Sequence, residues 1–313
     1  FRRLRPLKKG FARIAFQTLE LNDFNMDLQV VPVGVDYDSF SKYRSSLIVN
    51  FGEAIPVIEF NKIYKESKPI GINKLKETLS KNLEPTILNI KSVDNYDFYN
   101  EIRKLYRHNM AKKLGVSASN VGNRLLLDQE TVKRIEEYEL LDPSKVNKVK
   151  KLTEAYMDLR DELDFTNSEI NNNRFCWPGL IISLISLLAT LPAFIYGFIN
   201  NFIPYYLPIW VSTIFEDEQF KSSAKFVVSA ILFPLFYLLQ TTLILLSTSS
   251  FVALIYLLSL PVSAIICWRW AKFFSYTYNG LRYLFKSLSG DKSLIELKEL
   301  HNQIIVSTNQ MIG

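Results

Sequence analysis

The sequence predicts part of an α/β sheet domain, then a helical segment, then a C-terminal α-helical transmembrane domain. Apolar, β-rich runs at residues 28–35 and 45–57 follow a helix-patterned stretch at 10–21. Residues 68–165 are dominated by helical spacing. From Phe175 to Phe215 and from Phe226 to Trp268 there is no Asp, Glu, Lys or Arg. These are 41 and 43 residues, each long enough for two crossings at about 20 residues per helical span. The boundaries read as 1–67 for the sheet portion, 68–173 for the helical segment, 174–285 for the membrane helices and 286–313 for a cytoplasmic tail.

In the sheet portion, Phe11, Ile14, Ala15, Thr18 and Leu19 recur at helical spacing after Gly10. Leu28 to Val35 then forms one apolar run of the kind a buried strand uses, and "SSLIVNFGEAIPV" repeats that signature with Gly52 and Pro56 as punctuation. Two strands and one helix cannot cover both faces of a sheet, so the missing layer is expected upstream. The chain opens on Phe rather than Met, with no signal peptide before the soluble part, and is read as starting inside a domain.

Candidate helices in the middle run over about 70–83, 94–114, 128–140 and 144–165. In the last, Val149, Leu152, Tyr156, Leu159 and Leu163 step by three and four, a two-heptad apolar seam. Such a seam packs on its own domain or, less expectedly for so short a repeat, meets a coiled-coil partner.

The membrane blocks carry "GFINNFIP" and "STSS" at their midpoints, which predicts two hairpins. Arg174 precedes the first block, Lys221 and Lys225 separate the two, and Arg269 and Lys272 follow the second. With cations on all three flanks and on neither internal turn, the flanks are expected to be cytoplasmic. The limb "FIPYYLPIWVSTIF" is short for a crossing and has two readings: re-entrant, or lying flat on the far surface, which would leave three spans. No ionisable side chain lies inside either block, which argues against a pump or permease. Cys176 and Cys267 make no disulfide or zinc pattern and are read as ordinary thiols.

The opening "LRPLKKGFARIAF" belongs to a run of six cations before the first acidic residue, Glu20. A Lys-Lys-Gly step into a helix suits phosphate, because helix N-terminal amides and the dipole attract anions. The same run also suits a solvated basic strip or anionic headgroups, worth about 1 kcal/mol per cation near such a surface. Both readings stand on spacing alone. Without aromatic platforms, nucleic acid is not an expected partner.

"LRPLKKGFARIAF", "LQVVPVGVDY" and "YRSSLIVNFGEAIPV", in this order, resemble the phospholipid-biosynthesis acyltransferases, the glycerol-3-phosphate and 1-acylglycerol-3-phosphate acyltransferases. "NNFIPYYLP" and "KFVVSAILFPLFYLLQ" resemble the membrane-anchored subgroup, so the likeness covers about 1–60 and 174–285. It implies acyl transfer from acyl-CoA or acyl carrier protein to a glycerol-phosphate acceptor, glycerol-3-phosphate or lysophosphatidate, with no metal and no cofactor. It implies an integral, multi-pass protein of the bacterial cytoplasmic membrane or endoplasmic reticulum. Lys8 or Lys9 would grip the acceptor phosphate, with Arg5 and Arg13 as poorer candidates. Val31, Pro32 and Val33 would lie beneath the pocket.

The family's general base is a His in H-x4-D, and this chain departs from it. His108 is followed five residues on by Lys113 and His301 by Val306, so both are read as surface residues and no catalytic residue is assigned. The catalytic half is expected to lie outside these residues. The rival reading is a non-catalytic membrane-anchored adaptor whose helical region binds a partner. General-base catalysis contributes about 10²–10⁴-fold, so the purified 313-residue chain is expected not to acylate glycerol-3-phosphate from acyl-CoA. Measurable turnover would overturn that expectation.

Overall fold

The structure, a computed structural model, describes residues 2–37, 46–171, 177–216 and 218–313. It divides into two compact units. The first holds the described residues up to 157 together with 300–313, and the second holds those between 158 and 299.

The first unit starts with α1 (Gly10–Leu21). Ala12, Ala15, Phe16 and Leu19 form its buried stripe, in a core shared with Ile55, Val57, Tyr64 and Leu75. Phe16 stacks on Tyr64 with ring centroids 3.9 Å apart. The predicted stripe is thus rotated: Ile14 points outward at 66% exposure, and Ala12 and Phe16 take the inner positions.

The first predicted strand divides into β1 (Gln29–Val30) and β2 (Val33–Tyr37), the second into β3 (Leu47–Phe51) and β4 (Ile55–Pro56). Pro32 has no N–H to extend a ladder, and its carbonyl accepts from the Gly52 amide at 2.8 Å. β1 pairs with β4 and β2 with β3, both antiparallel. Opposite Val33, Val35 and Tyr37 stand Phe51, Val49 and Leu47. All six of these apolar side chains are exposed, Phe51 at 73%. The other face carries Gly34, Asp36 and Ile48, which are buried. A Cβ on Gly34 would sit 2.2 Å from the Thr86 carbonyl oxygen, so only glycine admits that backbone.

The expected fold class is borne out in part, in its helical segment and its apolar C-terminal helices. The described residues are mostly helical, and their strands make only two two-stranded sheets. α2 (Asn61–Glu66) and α3 (Lys68–Leu83) join the α1 core. α4 (Tyr96–Leu114), α5 (Arg124–Leu141) and α6 (Pro143–Glu162) follow. In α6 the stripe Val146, Val149, Thr153 and Tyr156 is buried, which spends the predicted seam on packing inside the protein. The expected tail contains α11 (Lys292–Ile312), whose Leu294, Leu297, Ile304 and Met311 are buried. Its end belongs to the first unit, where the Tyr106 hydroxyl meets Asn309 Oδ1 at 2.5 Å.

A buried charge cluster ties this unit together. Asp128 of α5 accepts from Arg103, and from Arg107 Nε and Nη2 at 2.8 and 2.9 Å. The Arg103 and Asp128 side chains are only 4% and 2% exposed. Asp36 of β2 pairs with Arg2 and, at 3.5 Å, with Arg124. Burial, with Arg103 nearby, pulls the Arg2 pKa down to about 10, and burial also lowers that of Arg103.

In the second unit α7 (Asn167–Asn171) precedes three helices long and apolar enough to cross a membrane: α8 (Trp177–Ser212), α9 (Glu218–Ser247) and α10 (Ser250–Leu288). The first uncharged block is therefore one helix and not a hairpin, which corrects the reading of "GFINNFIP" as a turn. Pro204 removes the N–H that would bond the Asn200 carbonyl, and Gln240 Nε2 of α9 donates to that carbonyl at 2.9 Å instead. Tyr256 donates to Asn200 Oδ1 at 2.5 Å and Tyr237 to Asn201 Oδ1 at 2.7 Å. Asn201 Nδ2 reaches Ser263 Oγ at 3.1 Å. The polar pair thus bonds α8 to both neighbours, a common use of Asn and Gln between membrane helices. In the second block the expected turn is present at Thr248 and Ser249. Cys267 lies half-buried in α10; Cys176 and Arg174 lie outside the described residues.

Removing one partner of a buried ion pair leaves a charge uncompensated and costs about 3–5 kcal/mol. Asp128→Ala, which strands Arg103 and Arg107, is expected to lower the unfolding free energy of the detergent-solubilised chain by that order, read as a fall in its denaturant midpoint. An unchanged midpoint would show that the cluster does not hold the unit.

Candidate functional site

The sequence-predicted cations flank the start of α1 along the chain. Lys9 is its N-cap residue, its side chain accepts no capping bond, and the first intrahelical bond is Arg13 N–H to the Lys9 carbonyl at 3.1 Å. The Gly10, Phe11 and Ala12 amides precede that bond, in the position of the unpaired N–H groups of any helix start. There is no acidic residue in the first turn. Arg5, Lys8, Lys9 and Arg13 are all exposed. None of them has an ion-pair or hydrogen-bond partner among the described residues. A Cβ added to Gly10 would meet nothing within 4 Å, so the approach to these amides is open.

Rigidity comes from the other end of the helix. Phe16 and Leu19 are fully buried, and Glu20 pairs with Lys68 at 2.6 Å. A free-standing amphipathic turn would fray, whereas this one is held by its C-terminal half and presents its N-terminus to solvent. The arrangement can hold a small dianion through backbone N–H groups and flanking cations. In the strand block Pro32 is buried, while Val31 and Val33 are 46% and 41% exposed.

Sequence reasoning missed Arg2, Asp36, Arg103, Arg107, Arg124 and Asp128, whose charges are spent on one another. A signal for part of this was available. Arg103 falls within the α4 stripe of Phe98, Tyr99, Ile102, Tyr106 and Met110, where an arginine needs a counter-charge. No such signal marks Asp128 as the partner.

The two histidines part company. His108 is exposed on α4, as expected. His301, expected at the surface, is half-buried on α11 with its ring 5.9 Å from that of Tyr156. Its Nε2 is buried without a hydrogen-bond partner. Neither ring has the Asp of an H-x4-D pair, and neither lies on the α1 site's own helix.

Over 190 residues the chain is 24% identical to glycerol-3-phosphate O-acyltransferase 2 of Saccharomyces cerevisiae. That match takes in 58% of this chain and 24% of the yeast protein, so the chain spans about a quarter of the relative's length. No family model and no solved structure matches the chain. The chain thus combines a distant likeness to one acyltransferase with three helices long and apolar enough to cross a membrane.

Burial depresses the His301 pKa below its ordinary 6.5. Above about pH 6.5 the ring is neutral in both folded and unfolded chains and costs nothing. Below it the unfolded chain takes up the proton first, so stability falls as pH drops toward the folded pKa. His301→Gln is expected to flatten the loss of thermal stability between pH 6.5 and 5. An identical slope in the variant would rule out this origin.

Proposed function

We propose that the chain is part of a membrane-bound glycerolipid acyltransferase that transfers an acyl group from acyl-CoA or acyl carrier protein to glycerol-3-phosphate or lysophosphatidate. The observation that carries this reading is the open, unpaired Lys8-Lys9-Gly10 helix start, in a chain whose sequence is distantly similar to a glycerol-3-phosphate acyltransferase. On this reading the acceptor phosphate sits on the first-turn amides of α1. Lys8 and Lys9 supply point charges to it, and Arg5 and Arg13 stand further out.

The bare β2–β3 face supports the same reading. A two-stranded ribbon exposing six apolar side chains is marginal alone, and such a face suits the interior of a larger sheet domain. The general base that takes the acceptor hydroxyl's proton is, on this reading, neither His108 nor His301. Acyl transfer then needs the hydroxyl aimed at the thioester carbonyl while the phosphate is fixed. The contribution of these residues is therefore positioning and charge neutralisation.

The experiment is steady-state kinetics of the full-length protein that carries this chain, with the acceptor varied, for Lys8→Gln, Lys9→Gln and the double variant. A hydrogen bond to a charged group is worth about 1.5–3 kcal/mol, so each lost contact is expected to raise the acceptor's apparent KM about 10- to 100-fold with the donor's unchanged. An unaltered acceptor KM in all three would leave only a basic surface strip.

A further inference from the structure

Three apolar helices in series ordinarily leave the two chain ends on opposite faces of a bilayer. Here both ends of the membrane unit are tied together. Before α8, the Leu163 carbonyl accepts from Arg282 Nη2 at 2.7 Å, and Glu169 Oε1 accepts from Asn279 Nδ2 at 2.6 Å. The Phe165 ring packs edge-on against Tyr283, and Trp177, the first residue of α8, packs edge-on against Phe285 with ring centroids 5.7 Å apart. Asp164 and Arg282 pair at 3.4 Å with Asp164 fully in solvent, and Lys286 pairs with Asp291 at 2.6 Å. Ionised groups at this density mark a water-facing level and not hydrocarbon. The entrance to α8 and the exit from α10 therefore lie at one aqueous surface.

The contacts deeper in the unit run the same way. Trp270 Nε1 donates to the Leu187 carbonyl and its ring stacks on Phe194, Ser263 meets Asn201, and Tyr256 meets Asn200. Partners on α8 advance as those on α10 recede, so these two helices run antiparallel. A separate observation agrees. Residues before 158 and after 299 belong to one compact unit, in which His301 packs on Tyr156 and Arg134 reaches the Ile312 carbonyl. A folded unit cannot be divided by a bilayer.

We infer that the chain leaves and re-enters one face of the membrane, making two crossings with three apolar helices, and that α10 is the returning span. Its uncharged run from Ser250 to Trp268 is 19 residues, close to the roughly 20 that one crossing needs. The Thr248–Ser249 turn then lies on the far face. One of α8 and α9 does not carry the chain across. This sidedness stands apart from the acyltransferase reading, since no step of it uses the α1 site.

The test is single-cysteine labelling of the full chain in sealed vesicles, with Cys176 and Cys267 first changed to Ser. An impermeant maleimide is expected to label Asp161→Cys and Ser289→Cys from the same face, and Thr248→Cys only from the other. Labelling of positions 161 and 289 from opposite faces would overturn the inference, and so would labelling of position 248 from the face shared by those two. Retained glycerol-3-phosphate binding or activity in these variants would have no bearing on that outcome, so the two proposals fail separately.

Discussion

The first unit depends on two buried aspartates. Asp128 gathers Arg103 and Arg107 of α4 onto α5, and Asp36 draws Arg2 and Arg124 to the inner side of β2. Four sequence-distant segments are thereby pinned at charged points that tolerate little sliding. Buried ion pairs are poor sources of net stability, because desolvation offsets most of the attraction, yet breaking one is costly. Their effect is to fix which surfaces meet. The inner face of the β2–β3 ribbon is polar for this reason. Gly34 and Asn50 also serve it, the first admitting the Thr86 backbone and the second donating to the Thr86 carbonyl at 3.1 Å.

An inverted ribbon follows from that arrangement. With Asp36 turned inward, strand alternation forces Val33, Val35 and Tyr37 outward, and the register places Phe51, Val49 and Leu47 beside them. The basic start of α1 is independent of this face. It is held from below by Phe16 and Leu19 and left open above, so that charge and exposed amides coincide on a rigid element.

The membrane unit answers a different constraint with similar means. Proline within a helix orphans a carbonyl, and no water in hydrocarbon can serve it. Gln240 serves the carbonyl freed by Pro204, while Asn200 and Asn201 recruit Tyr256, Tyr237 and Ser263. Gly197 lets the backbones close up, since a Cβ there would lie 2.6 Å from the Ser263 carbonyl oxygen. Residues that look turn-prone in a linear reading thus act as the bonds between helices.

The sequence by itself determined the α1 helix to its observed ends, the helices of the middle region to within a few residues, and the uncharged blocks that become α8, α9 and α10. Those features follow from local periodicity and from the absence of charge over long stretches, both of which act along the chain. It also located the cations of the α1 start, because a Lys-Lys-Gly step is a local signal. Only the tertiary structure decided that Ile14 faces out, that "GFINNFIP" continues a helix, that α11 is part of a folded unit and that His301 is half-buried. Each of these depends on a partner far away in sequence: Tyr64 stacking on Phe16, Gln240 reaching Asn200, Tyr106 meeting Asn309, Tyr156 lying against His301. Spacing can show that a face is apolar or that a carbonyl is orphaned, but the group that covers it is chosen by packing between segments that the chain order does not place side by side.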